Sequence, residues 1–175
     1  MTAANPHRRS RRRVGIAGFG TIGRRVATAL DEGIDGLELV GVCGRDRAKA
    51  ESGVKQLRTT PPILSPAELA DTAEIIVECV PKTAFFEIVQ PLVTAGRTVV
   101  TVSGAGLLEH PEVIDTAARS GAQIILASGA LLGLDAVRAA AEGDIDDVTM
   151  VTRKPPNSLA GAPYLDKHDI DVRNL

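Results

Sequence analysis

From Val14 to Leu30 the chain reads VGIAGFGTIGRRVATAL, and Gly18-Phe19-Gly20-Thr21-Ile22-Gly23 sits at its centre. A short apolar run, Val14–Ala17, leads into the glycines. A helical pattern leads out of them, with Ile22, Val26, Ala29 and Leu30 on one face and Gly33 as a stop. In that setting each glycine has its own task. The first permits a tight turn out of a strand, the second lets the backbone approach a pyrophosphate, and the third lets the helix pack closely on the strand. The helix start then offers free N–H groups and a partial positive charge to phosphates. The stretch points to a bound dinucleotide. The alternative, a glycine turn holding no ligand, leaves the strand before it and the second strand after it unexplained.

The same alternation continues along the chain. Apolar runs suited to strands occur at Val14–Ala17, Leu39–Val42, Ile75–Cys79, Val99–Val102 and Ile124–Leu126, with helical patterns of about ten residues between them. Ser65-Pro66-Ala67-Glu68 has the form of a helix start, with a serine cap, a proline at the first position and a reciprocal glutamate. Pro91 falls inside the pattern from Lys82 to Gly96 and predicts a kink or a split. Val148–Thr152 reads as a further strand, stopped by Pro155 and Pro156. The expected fold class is α/β, a Rossmann-type doubly wound parallel sheet with the start of a second α/β domain. The expected organisation is a basic tail over 1–13, a dinucleotide-binding domain over 14–145 and an incomplete second domain over 146–175.

Composition narrows the function classes. Hydrophobic residues make up 44% of the chain and aromatic residues only 2%. The core must therefore be Val, Ile, Leu and Ala, as in buried parallel sheets. Aromatic stacking platforms for single-stranded nucleic acid are not expected. Five arginines lie within residues 7–13, and removing their charge from a net −2 leaves −7 on the remainder. An acidic body behind a basic tail argues against nucleic acid as a partner. The tail itself reads either as a solvated terminus or as a targeting or anion-binding segment. No apolar run approaches the ~18 residues that span a membrane. Cys43 and Cys79 lack C-x-x-C spacing, so no metal site is expected. Both read as small strand-end residues in a reducing, cytoplasmic setting.

The end of the second strand selects the cofactor. NAD-type sites place an acid there, on the ribose 2′-hydroxyl, where it repels a 2′-phosphate. This chain reads Cys43-Gly44-Arg45-Asp46. If Gly44 takes that position, the repulsion is absent and Arg45 is free to pair with the phosphate. If Asp46 takes it, NAD is preferred. The strand ends at Cys43 or Gly44, which favours NADP binding at least as well as NAD.

Two later stretches carry a family resemblance. ASGALLGLDAVRAA, Ala127–Ala140, and TRKPPNSL, Thr152–Leu159, resemble consecutive segments of the L-aspartate dehydrogenases. VECV, Val77–Val80, and VSGAGLL, Val102–Leu108, match between them. The resemblance implies NAD(P)-dependent oxidative deamination of L-aspartate through iminoaspartate to oxaloacetate, with a possible link to NAD biosynthesis. It implies a homodimer and a small-molecule substrate, L-aspartate or iminoaspartate. Carried over by position, Gly18, Gly20 and Gly23 meet the pyrophosphate; Phe19, Thr21 and Ile22 complete that cofactor-binding turn, and Gly44 and Arg45 join the cofactor site from the reading of the strand end above. Cys79 and Val80 lie beside the ribose and nicotinamide, and Ala130 approaches the nicotinamide through its backbone, in a turn shaped by Ser128 and Gly129. Asp135 matches a family aspartate at a helix start, where it also reads as a plain dipole partner. Family members run on beyond this point into a region supplying a catalytic histidine. His7, His110 and His168 do not match it, so the catalytic residue is unknown. Two rivals share the glycine motif: a dihydrodipicolinate reductase or homoserine dehydrogenase, and a non-catalytic nucleotide-binding module or remnant.

Overall fold

The computed structural model describes residues 11–129, 133–159 and 162–172. The chain divides into two units, Met1–Leu132 and Gly133–Leu175. Among its described residues the first holds five strands, β1 (Arg12–Ala17), β2 (Leu37–Cys43), β3 (Ile75–Glu78), β4 (Thr98–Thr101) and β5 (Gln123–Leu126). They form one sheet in the order β2-β1-β3-β4-β5, and every pairing is parallel. Six helices connect them: α1 (Thr21–Gly33), α2 (Arg47–Val54), α3 (Pro66–Thr72), α4 (Phe85–Thr94), α5 (Gly104–Glu109) and α6 (Glu112–Ser120).

Side chains alternate between the two faces of a strand, and here the alternation builds two cores. Val14, Ile16 and Val42 bury against Ala27 and Leu30 of α1 and Ala50 and Val54 of α2. Ala17, Cys43, Ile76 and Val99 bury with Leu69 of α3, Phe85, Val89, Leu92 and Val93 of α4, and Val113 of α6. Helices thus pack on both faces and bury the apolar residues of the inner strands, while β5 at the edge stays largely exposed. Each fully buried Ile, Leu, Val or Phe side chain contributes about 1.5–3 kcal/mol of transfer free energy.

Three details depart from the sequence reading. β1 begins at Arg12, before the apolar run, because Arg12 and Arg13 pair with Leu37 and Glu38 and the Arg13 N–H donates to Glu74 at 2.9 Å. Pro91 does not split its helix. A 3-10 turn over Lys82–Ala84 leads into α4, which runs through Pro91 to Thr94. The ring removes one intrahelical donor, but Phe85, Val89, Leu92 and Val93 are buried on both sides of it and hold the helix to the sheet. Finally, the expected strand Val148–Thr152 is not formed. Residues 144–155 contain neither helix nor strand, and Val148, Met150 and Val151 are exposed. A strand requires a partner for its backbone groups, and no strand of the described residues pairs with this run. The second unit holds α7 (Leu134–Ala140), a 3-10 turn over Pro156–Leu159 and α8 (Pro163–Lys167).

Candidate functional site

β1 lies between β2 and β3, so the loops leaving β1 and β3 diverge to opposite sides of the sheet. The crevice outside the carboxyl ends of such strands is where open α/β sheets bind ligands. The glycine motif stands there. Gly18 follows β1 with φ +96°, and a Cβ on it would lie 2.5 Å from the Cys79 carbonyl oxygen and 2.8 Å from the Val80 nitrogen. Its N–H donates to the Cys43 carbonyl at 2.8 Å. Gly18 therefore joins the ends of β1, β2 and β3 at one point. A Cβ on Gly23 would lie 1.9 Å from the Gly18 carbonyl oxygen, so only glycine lets α1 approach the turn this closely.

Gly20 behaves differently. A Cβ there would meet nothing within 4 Å. Gly20 is the N-cap of α1 and brings no side-chain cap, and the first turn carries no acidic residue. The first intrahelical bond along α1 is from the Arg24 N–H to the Gly20 carbonyl at 2.9 Å. Thr21 and Ile22 are exposed at this helix start. Open space above Gly20, free N–H groups and an uncompensated positive dipole end fit a pyrophosphate. Phe19 turns the other way. Its side chain is 7% exposed, packs in the core under α1 and α2, and carries the Arg24 guanidinium 5.7 Å above its ring. Only its backbone faces the turn.

At the end of β2, Gly44 has room for a side chain. A Cβ would make ordinary contacts, 3.4 Å from the Ala50 Cβ and 3.6 Å from the Phe19 Cβ. Arg45 is exposed and makes no ion pair among the described residues. Asp46 is already occupied. Its Oδ1 accepts from the Lys49 N–H at 3.0 Å and caps α2, and its Oδ2 lies 3.4 Å from Lys49 Nζ. The Lys49 backbone hydrogen bond holds the Asp46 carboxyl below its ordinary value.

On the other side of β1, Cys79 and Val80 leave β3. Burial, with a smaller part from the Glu78 charge, pushes the Cys79 thiol up to about 11. Cys43 and Cys79 are both free thiols. Glu78 is the residue that sequence reasoning did not single out. It is fully buried at the last position of β3, and its Oε1 accepts from the Val80 N–H at 2.6 Å and the Ser103 hydroxyl at 2.9 Å. Its Oε2 accepts from the Thr101 hydroxyl. The available signal was a glutamate at the centre of the apolar run IIVECV. Ser128 and Gly129 are described, with Gly129 at φ +58°. Ala130 lies outside the described residues.

His110 packs on Phe85 and Phe86 and its Nδ1 lies 3.0 Å from Glu112. In the second unit the His168 ring lies against that of Tyr164, tilted, with centroids 4.4 Å apart. No group of His, Cys, Asp and Glu among the described residues is arranged to hold a metal ion. No described helix is long and apolar enough to cross a membrane.

A family model described as the NAD-binding domain of homoserine dehydrogenase matches residues 18–127. The chain belongs to that NAD-binding family. Its members bind a nicotinamide cofactor, and the match opens at Gly18, the residue that joins the three strand ends. The match stops one residue before Ser128, so it does not include the Ser128–Asp135 segment. Curated relatives do. The L-aspartate dehydrogenase of Bradyrhizobium diazoefficiens is 45% identical over 163 residues, covering 93% of this chain and 58% of that protein. L-aspartate dehydrogenase 3 of Bordetella bronchiseptica is 42% identical over 93% of this chain and 60% of its own length. The resemblance read from the sequence is borne out by these relatives. The chain spans about 58–60% of their length.

Solved structures agree on the fold. The homoserine dehydrogenase of Thiobacillus denitrificans superposes with TM-score 0.57 at 23% identity, covering 67% of this chain and 29% of that one. Biliverdin reductase from Synechocystis sp. PCC 6803, in complex with biliverdin and NADP+, superposes with TM-score 0.60 at 20% identity, covering 74% and 42%.

Proposed function

We propose that this chain is the dinucleotide-binding part of an NAD(P)-dependent L-aspartate dehydrogenase. The observation carrying the reading is the open, uncapped start of α1 at the switch point, together with relatives whose similarity continues past residue 127. In the proposed reaction L-aspartate loses a hydride from its α-carbon and a proton from its amine. Iminoaspartate forms, and water then releases oxaloacetate and ammonia. The bound nicotinamide cofactor supplies the hydride acceptor. The residues of this chain hold it: backbone at Gly18, Phe19, Gly20, Thr21, Ile22 and Gly23 for the pyrophosphate, Gly44 and Arg45 for the adenosine ribose, and Cys79, Val80 and Ala130 for the nicotinamide side. The proposed organisation is a dinucleotide domain over 14–145 with the start of a second domain over 146–175, whereas the compact units divide earlier, between Leu132 and Gly133.

NADP binds at least as well as NAD in this reading. Gly44 places no carboxylate at the end of β2, Asp46 is engaged as the α2 cap, and Arg45 is free to meet a 2′-phosphate. Titration of both cofactors tests it. Arg45→Ala should weaken NADP by ~10-fold, the worth of about 1.4 kcal/mol, and leave NAD unchanged. Gly44→Asp should turn the preference to NAD, since the site accepts a Cβ without distortion. A wild-type preference for NAD of ~10-fold would assign the ribose to Asp46 and overturn the NADP reading. The free thiols suit a reducing cytoplasm. The outer edge of β5, unpaired among the described residues, suits association into a homodimer, which sedimentation velocity at two protein concentrations would test.

A further inference from the structure

Glu78 is a costly residue for its place. It is fully buried, between Val77 and Cys79, where the strand pattern calls for an apolar side chain. Its three partners are all donors, and none of the three bonds belongs to the β ladder. The Val80 N–H comes from the loop leaving β3, while the Thr101 and Ser103 hydroxyls come from the end of β4 and the start of α5. The Ser103 N–H donates in turn to Thr101 Oγ1 at 3.0 Å, and Ser103 Oγ lies 3.0 Å from the Val80 carbonyl. The carboxylate thus ties two loops together at the carboxyl end of the sheet. An apolar replacement would fill the volume but strand three donors.

Position gives this tie a meaning, resting on the dinucleotide reading above. The ribose-selecting position is at the end of β2 and the phosphates belong over β1 and α1, so the adenosine half lies on the β2 side of the switch point. The remaining half must run the other way, over the ends of β3 and β4. We propose that Glu78 is a positioning residue for the nicotinamide half: by holding the Val80 amide and the Ser103 hydroxyl it fixes the two-loop surface on which that half docks. Gly20, Gly44 and Arg45, on the adenosine side, make no hydrogen bond to it, so the two halves respond separately.

Two ligand pairs test this, NADPH against 2′-phospho-ADP and NADH against ADP, because the ring-free member of each pair lacks the whole dihydronicotinamide riboside. Dissociation constants are measured by calorimetry on the full chain, beside the melting temperature. Glu78→Gln should weaken the full dinucleotide by ~10-fold, as loss of a hydrogen bond to a charged group does, and the ring-free partner by less than ~2-fold. Should Glu78→Gln fail to fold by circular dichroism, Ser103→Ala decides. It removes one arm of the tie from a half-buried site, and the same split is expected at ~5-fold. Equal loss on both members of a pair, no loss on either in a folded variant, or a wild type that holds both members equally overturns the proposal. A wild-type chain that binds no member of either pair overturns the dinucleotide reading and the proposal with it. A failed split on a wild-type chain that binds NADPH overturns the proposal alone.

Discussion

Gly20 and Gly23 stand three residues apart on one turn, and the space around them differs completely. A methyl group on Gly23 would lie 1.9 Å from a backbone carbonyl oxygen, whereas one on Gly20 would meet no atom of the described residues within 4 Å. The two substitutions should therefore separate stability from binding. Gly23→Ala forces α1 off the turn and should cost about 1–3 kcal/mol in urea denaturation, as overpacking does. Gly20→Ala should stay within about 0.5 kcal/mol of wild type yet weaken the dinucleotide by ~10-fold or more, because the methyl takes the space a pyrophosphate needs. Normal binding by Gly20→Ala would remove the phosphates from that turn. At this scale the spacing of the glycines alone was enough to place them, because each answers a local steric demand. Glu78 was not legible in the same way. Its partners, Val80 after β3 and Thr101 and Ser103 at the end of β4 and beyond it, are brought together only by the pairing of β3 with β4.

Helix α3 shows what the sequence encodes at the level of an element. Ser65 and Glu68 cap each other as their spacing predicts, with the Glu68 N–H bonded to the Ser65 hydroxyl at 3.3 Å and the Ser65 N–H to Glu68 Oε2 at 2.8 Å. Ser65→Ala should cost about 1 kcal/mol. The Ser65 backbone N–H, and then its hydroxyl, hold the Glu68 carboxyl below its ordinary 4.5, and the Arg13 N–H does the same for Glu74. A carboxyl lowered in the folded state stabilises above its unfolded value and loses that contribution as pH falls through the folded one. The urea midpoint of Glu68→Gln should therefore lie below wild type at pH 7 and merge with it as pH drops below about 4. A constant gap at every pH would rule the charge out. The elements that pattern alone misread are those that depend on partners. Residues 148–152 have the Val- and Thr-rich composition of a strand but no described neighbour to pair with. The short α5 went unread because six residues hold too little periodicity, and its Gly106 is explained only by the Phe85 ring, 2.4 Å from where a Cβ would sit.

Across the whole molecule the two edges of the sheet are treated differently. Residues 62–64 run along β2, with the Val42 N–H bonded to the Pro62 carbonyl at 3.0 Å and the Leu64 N–H to the Val42 carbonyl at 2.8 Å. No described strand pairs with the outer edge of β5, where Ile125 and Leu126 are 49% and 47% exposed. The crevice between these edges offers backbone and open space for a dinucleotide but, among the described residues, few groups able to move a proton. Glu78 is spent on three donors of the protein itself. Cys79, with its thiol pushed up to about 11, stays protonated at neutral pH. His110 is joined to Glu112 and covered by two phenylalanines. Oxidation of an amine needs a proton acceptor beside the reacting nitrogen, and its loss costs ~10²–10⁴-fold. The 175-residue chain should therefore bind NAD(P) and give little turnover with L-aspartate. The measurement is the rise in reduced-cofactor absorbance at saturating aspartate, run beside a binding titration that shows the site to be loaded. Steady turnover of ~1 s⁻¹ or more, within the usual enzyme range, would mean that a base is present after all, and loss of that turnover in His168→Ala, with cofactor affinity unchanged, would identify it.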